Sequence, residues 1–369
     1  MRLLYIADNG FSYKEGKYYC TTPNHVNLIQ YGRYFSEIVV IARECIYQNN
    51  SYEVNECNQI ELISKNDFFA LFRKMKKLRS EYDIVLMRNG INGCFASMYS
   101  SLMSIPYVAY CGSDPYEFQI AQGSFIRKIY AIVWRSLERF KMKHATYAQY
   151  CTEYLFRNYP TKAPYLICSN VEIDIDDSDL DKRIAKIKNK NDKIVRIGMI
   201  GRIDENKGVR TIICALAELE DNFRFELIGG GNPDIFIEDI KKLEVGSRIQ
   251  FLGYWSDKQK IKDWLRDIDV YVQPSLSEGL PRSTIEAMSV GCPCVATNIA
   301  GLPDILQNEF LINPKDFSEL AQRILYIVEN QHIAIKAAKD NFGRAKDFDR
   351  KVRDRKLDEF YGNIVCIDK

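Results

Sequence analysis

Short, wholly apolar runs recur along the first half of the chain: Leu3-Leu4-Tyr5-Ile6-Ala7, Ile38-Val39-Val40-Ile41-Ala42, Ile84-Val85-Leu86-Met87 and Tyr107-Val108-Ala109-Tyr110. A strand wetted on one face alternates apolar and polar residues, whereas a run that is apolar on both faces belongs inside a parallel sheet covered by helices. Helical stretches such as residues 67–79 lie between these runs, the alternation that builds an open α/β sheet. The first run meets Asp8-Asn9-Gly10, and a long Tyr-rich loop is expected to follow it. The pattern begins again at Ile194-Val195-Arg196-Ile197-Gly198-Met199-Ile200 and continues through Phe225-Glu226-Leu227-Ile228, Asp269-Val270-Tyr271-Val272 and Pro293-Cys294-Val295-Ala296-Thr297. Residues 172–193 interrupt it, acidic up to Asp181 and basic from Lys182 to Lys193, with little to bury. The organisation predicted is a Rossmann-like domain over 1–171, a linker over 172–193, a second Rossmann-like domain over 194–342, and a charged helix and tail over 343–369.

Two polar constellations interrupt the second domain's pattern. In Ser277-Glu278-Gly279-Leu280-Pro281-Arg282-Ser283-Thr284-Ile285-Glu286, seven residues separate two glutamates. Glu278 stands ahead of a Gly-Leu-Pro turn that opens a helix, and Glu286 is placed about two turns inside it, so both acids are expected to face one small pocket. The N–H groups of Gly279 and Leu280 are left free at such a helix start and suit an anion, and Pro281 costs nothing there because it has no N–H. Acceptors for hydroxyls beside donors for phosphate describe a sugar-nucleotide site. Upstream, Gly201-Arg202-Ile203-Asp204-Glu205-Asn206-Lys207-Gly208 follows a strand. Gly201 permits a sharp exit, Arg202 offers a planar fork of donors, and Lys207 adds a point charge, a set able to hold a diphosphate.

These stretches resemble the retaining glycosyltransferases of family 4, the glycosyl transferases of group 1. The shared pattern is Gly-Arg, then Lys-Gly, then a Glu, seven residues and a second Glu, in that order. Phe225 to Gly231, Arg248 to Tyr254, Asp269 to Ser275, Pro293 to Thr297 and Ala300 to Asp304 also match, so the specific resemblance covers roughly residues 194–304. It implies a GT-B fold, with two Rossmann-like domains facing each other across a cleft and the C-terminal helix crossing back to the first. It implies transfer of a sugar from a nucleotide diphosphate sugar to a hydroxyl of a glycan or lipid-linked glycan, with retention, in bacterial surface polysaccharide synthesis. Arg202 and Lys207 would then hold the diphosphate, Glu286 the ribose, and Glu278 with Gly279 and Leu280 the moving sugar and distal phosphate. Gly201, Gly229, Gly230, Ile249 and Pro281 complete the implied donor site, which uses no metal or cofactor. Where many members carry a His, this chain has Tyr110-Cys111-Gly112-Ser113-Asp114. Asp114 is the protein's candidate for the base, beside its plainer reading as a turn former before Pro115. A sugar-nucleotide epimerase of the same fold and a non-catalytic sugar-nucleotide-binding subunit are the alternatives.

Composition narrows the setting. Eleven cysteines in 369 residues form no disulfide framework and point to a reducing cytosol. Cys292-Pro293-Cys294 lacks zinc-site spacing, and no apolar run reaches membrane-spanning length. The net charge of +2 is uneven: residues 1–170 hold 20 Lys and Arg against 14 Asp and Glu. The bases gather in residues 73–79 and 125–143, among aromatic and aliphatic positions. Such helices fit either an ordinary protein surface or peripheral contact with an anionic membrane at the cytoplasmic face. No aromatic-basic platform for nucleic acid is present.

Overall fold

The computed structural model describes residues 1–48, 51–64, 67–116, 125–189 and 194–366. They form two compact units, Met1–Ser169 with the segment from Asp354 onward, and Asn170–Arg353. Each is a parallel sheet between helices, as the apolar runs require.

In the first unit, β1 (Arg2–Lys14) lies between β3 (Glu37–Glu44) and β6 (Ile84–Met87). From there β5 (Gln59–Ile63) extends one side, and β7 (Tyr107–Cys111), β8 (Tyr147–Tyr150) and β9 (Tyr165–Ile167) extend the other, all parallel. The expected loop after Ala7 is instead strand. After a register shift between Ala7 and Phe11, β1 continues to Lys14 and turns back antiparallel as β2 (Lys17–Cys20), which the short β4 (Tyr52–Glu53) pairs antiparallel in turn. Glu15 and Gly16 both have positive φ, 51° and 82°, the backbone of a two-residue hairpin turn whose twist suits the flanking strands. Phe11 is buried, and the Tyr13 and Tyr18 rings meet across the hairpin at 4.9 Å. Tyrosine favours a pleated, half-buried surface, and pairing of this kind turns a polar-looking stretch into a strand.

The second unit has the order β12-β11-β10-β13-β14-β15, with β10 at Val195–Ile200, β11 at Phe223–Ile228, β12 at Ile249–Gly253, β13 at Val270–Gln273, β14 at Cys294–Thr297 and β15 at Leu311–Ile312. The predicted linker is part of this unit. Within it, Ser178–Lys188 is a helix, and Arg183, 3% exposed, donates to the carbonyls of Ile268 at 2.5 Å, Leu265 at 2.8 Å and Val290 at 3.3 Å. Asp179 meets Arg266 at 2.7 Å and Lys262 at 3.0 Å. The segment reads as solvated because it is charged; here the charges are satisfied by carbonyls and partners and can be buried. Residues 190–193 of that stretch lie outside the described residues.

The charged C-terminal stretch also begins later than its sequence suggests. Gly343 sits inside the helix Gln331–Ala345, and a separate helix, Arg350–Cys366, follows. From Asp354 this last helix belongs to the first unit, where Tyr361 is buried against Tyr31, Tyr34 and Phe35 and donates to Gln149 Oε1 at 2.6 Å.

Candidate active site

Parallel strands bring their carboxyl ends to one edge, where ligands of open α/β sheets bind. On that edge of the second unit, the turns after β10 and β11 touch through glycine. The Gly201 N–H donates to Ile228 O at 3.0 Å, and the Gly229 N–H to Gly253 O at 2.9 Å. A Cβ on Gly229 would lie 1.8 Å from Gly201 O, so no larger residue fits. Gly230 is exposed, and a Cβ there would meet nothing.

The loop after β10 is fastened to the loop after β13. Asp204 Oδ1 accepts from the Lys207 N–H at 2.9 Å, Asn206 O from the Leu276 N–H at 2.8 Å, and Ser277 O from Asn206 Nδ2 at 3.3 Å. Gly208 closes the turn in the left-handed region at φ 73°, and its absent Cβ would stand 1.9 Å from Pro274 O. This stitching delivers Lys207 to Glu278. Its Nζ lies 2.5 Å from Glu278 Oε1, which also accepts from Ser275 Oγ at 2.7 Å and Gln273 Nε2 at 3.1 Å. Behind them, Gln273 Oε1 accepts from Tyr271 Oη at 2.8 Å and Ser283 Oγ at 3.2 Å, and Thr297 Oγ1 donates to Ser275 O at 2.7 Å. The Glu278 side chain is only 8% exposed, yet all these bonds reach Oε1, and Oε2 bonds no described residue. A carboxylate held by a buried network with one oxygen free is oriented to receive a hydroxyl.

Arg202 is 75% exposed and pairs with Asp204 at 3.1 Å, apart from the Lys207–Glu278 pair. The helix after Glu278 runs Arg282–Ser289 with Pro281 as its N-cap, so Glu286 lies about one turn inside it rather than two. Gly279 O accepts from the Gly301 N–H at 3.4 Å, while the N–H groups of Gly279 and Leu280 bond no described residue. Glu286 is partly buried, and burial raises its carboxyl above the usual range against the pull of Arg282 and Lys258. It lines a cavity of about 210 Å³ with Lys258, Ser289, Glu172 and Arg350, and Glu278 is not among the residues lining that cavity.

Ile249, expected in the donor site, stands at the opposite end of its strand from the loop edge. It opens β12 opposite Phe225 and packs on the core, whereas the loop edge lies at Gly253, opposite Ile228. Four residues at about 3.3 Å each separate the two ends of that strand. The groups at the loop end are Tyr254, exposed, and Trp255, whose Nε1 donates to Leu252 O at 3.1 Å while Lys260 Nζ stands 3.9 Å over its ring. An aromatic pair directly after a strand was the available signal. Asp114 belongs to the first unit and is buried. Its Oδ1 accepts from Tyr159 Oη at 2.6 Å and the Tyr116 N–H at 2.9 Å, and its Oδ2 from Asn158 Nδ2 at 3.4 Å, a carboxylate tying its own turn. Among the described residues, no cluster of three His, Cys, Asp or Glu is arranged to hold a metal, and no helix is long and apolar enough to cross a membrane.

Residues 181–345 match the family model of the glycosyl transferases group 1. Over 347 residues the chain is 28% identical to Protein CapJ of Staphylococcus aureus, with 88% of this chain and 85% of CapJ covered. It is 24% identical to the N,N'-diacetylbacillosaminyl-diphospho-undecaprenol alpha-1,3-N-acetylgalactosaminyltransferase of Campylobacter jejuni, covering 85% of each. In fold it is similar to HepE of Anabaena, crystallised in complex with UDP, at a TM-score of 0.69 and 17% identity over 98% of this chain and 100% of that one. With its two Rossmann-like sheets and the Lys207–Glu278 loops inside the matched segment, the chain is similar to the glycosyl transferases of group 1 over residues 181–345 and has the GT-B fold.

Proposed function

We propose that this glycosyltransferase is a retaining, metal-independent enzyme that moves a sugar from a nucleoside diphosphate sugar to a hydroxyl of a lipid-linked glycan in bacterial surface polysaccharide synthesis. The observation that carries the reading is the Lys207–Glu278 pair on the edge where the N–H groups of Gly279 and Leu280 stand free. The names of the relatives support the acceptor class, because the Campylobacter enzyme acts on a diphospho-undecaprenol glycan. HepE in complex with UDP makes UDP-sugars the first donors to test.

In this reading the leaving diphosphate gathers negative charge as the glycosidic bond breaks. Lys207, Arg202 and the free N–H groups of Gly279 and Leu280 supply fixed positive charge and donors where that charge grows, the task a divalent cation performs elsewhere. Oε2 of Glu278 receives a hydroxyl of the moving sugar while Oε1 stays tied to Ser275 and Gln273. Glu286 holds the ribose.

The test is a panel of nucleotide sugars offered to the purified protein, with slow donor hydrolysis as the first readout and product configuration by NMR as the second. Glu286→Gln should weaken the intact donor and the free nucleoside diphosphate alike, by roughly tenfold for a lost hydrogen bond to a charged group. Glu278→Gln should leave free-diphosphate affinity unchanged and depress turnover, because its contact matters as the sugar departs. An inverted product, or equal loss of free-diphosphate affinity in both variants, would refute these roles.

Lipid-linked acceptors place the reaction at a membrane surface, and the helix Phe125–Lys143 is suited to one. Ile126 is 77% exposed, Ile129, Ile132 and Val133 are exposed beside Arg127 and Lys128, and the helix's sole acid, Glu138, is buried against Lys141 at 2.7 Å. Vesicles containing anionic lipid should sediment the protein at low salt and release it at high salt, as each well-placed base contributes about 1 kcal/mol that ions screen. Equal recovery with neutral and anionic vesicles would mark this helix as ordinary surface.

A further inference from the structure

The first unit has its own carboxyl edge, and Arg88 stands on it as the first residue after β6. Its guanidinium lies 3.9 Å over the Tyr110 ring. Its Nη1 reaches Asn27 Oδ1 at 3.4 Å and Tyr31 Oη at 3.5 Å, both long, and Nε and Nη2 bond no described residue. No carboxylate among the described residues pairs with it. The chain's structural arginines look different: Arg183 donates to three backbone carbonyls, and Arg248 Nη1 to Leu219 O and Glu220 O at 2.9 Å each. Arg88 clips no backbone carbonyl among the described residues.

The helix facing it is also unusual. Thr22–Gly32 turns Asn24, Asn27 and Tyr31 inward beside Leu28, and all four are buried; Asn24 accepts from Tyr5 Oη at 3.1 Å, while Asn27 and Tyr31, four residues apart and so on one face, are the two that Arg88 reaches. A covering helix in a sheet of this kind ordinarily turns an apolar stripe inward. Here amide and phenol groups gather around a partly buried cation that is charged at any physiological pH and carries donors to spare. A charge withdrawn from water without a counter-ion is costly, and a ring face and two long bonds offset only part of that cost.

We propose that Arg88, with Asn27 and Tyr31, forms an anion subsite in the first unit that takes the phosphate of a phosphorylated acceptor. This rests on the glycosyltransferase reading for its purpose but on separate residues for its chemistry. A guanidinium presents parallel N–H donors matched to two phosphate oxygens, and a phenol and an amide beside it can serve the others.

Calorimetry with farnesyl diphosphate, a short isoprenyl diphosphate, and separately with UDP tests it on the full chain. Arg88→Gln should weaken farnesyl diphosphate at least tenfold and leave UDP affinity unchanged. Lys207→Ala should do the reverse. Arg88→Lys keeps the charge but loses the fork and should weaken farnesyl diphosphate at least threefold, which guards against loss of the fold in the first variant. Unaltered farnesyl diphosphate affinity in both Arg88 variants, absence of binding to the wild type, or loss in Lys207→Ala alone would overturn the proposal. So would Arg88-dependent binding of a glucuronide in place of the diphosphate, which would assign the site to a carboxylate. A failure of the donor reading would show instead in the UDP arm, with the farnesyl diphosphate result intact.

Discussion

Replacing Lys207 by alanine should lower kcat by roughly a hundredfold, the scale seen when one preorganised electrostatic group is removed from a site where charge develops. Two effects combine. In the proposed reaction the leaving diphosphate loses the cation beside it, and the Glu278 carboxylate, 8% exposed, loses the only positive charge among its described partners. Lys207→Arg keeps the charge on a larger, planar head and should recover part of the rate. Single-turnover measurements separate this from weaker donor binding. A Lys207→Ala enzyme with kcat within threefold of wild type would remove Lys207 from the chemistry.

Gly208→Ala should be, with Gly229→Ala, among the most damaging single-methyl changes in the second unit. The residue sits at φ 73°, where a side chain costs about 1 kcal/mol or more, and the new Cβ would stand 1.9 Å from Pro274 O, a backbone atom that cannot swing aside. A total cost of about 2–4 kcal/mol lowers Tm by roughly 5–15 °C for a unit of this size. Because the same turn delivers Lys207 to Glu278, activity should fall by more than the unfolded fraction explains. Gly230→Ala, whose Cβ meets nothing, is the matched control and should melt like the wild type. Thermal denaturation followed by circular dichroism decides between them, and equal Tm values would refute the packing argument.

The parts of this molecule legible in its sequence are those set by local pattern. Apolar runs without alternation gave both parallel sheets, and the spacing of Glu278 and Glu286 across Gly279 and Pro281 located the loop and helix on which both acids stand. What escaped depends on partners far away in the chain. The segment around Arg183 reads as a solvated linker until three carbonyls, 82 to 107 residues distant, are seen to satisfy its guanidinium. Tyr13 and Tyr18 read as loop residues until the Glu15-Gly16 turn pairs them. Ile249 lies on a strand expected near the donor, but the end of a strand that carries the loop edge follows from sheet direction, which no single strand reveals. The direct bond between Lys207 and Glu278 could not be read either, since it comes from the Asn206 and Gly208 contacts with residues 274–277.

The Tyr361 contacts bear on how the protein is made. Tyr31 and Phe35 in the first unit pack on Tyr361, and Gln149 accepts its hydroxyl, so residues 1–169 alone do not contain the whole of their own core. As the chain leaves the ribosome, the second unit has all of its residues by Arg353, while the first still awaits the segment from Asp354 onward. The unit translated first is therefore the last to receive all of its residues. In the interval its aromatic seam around Tyr31 and Tyr34 stands open, a natural target for chaperones and a point at which premature termination yields a protein with one finished half.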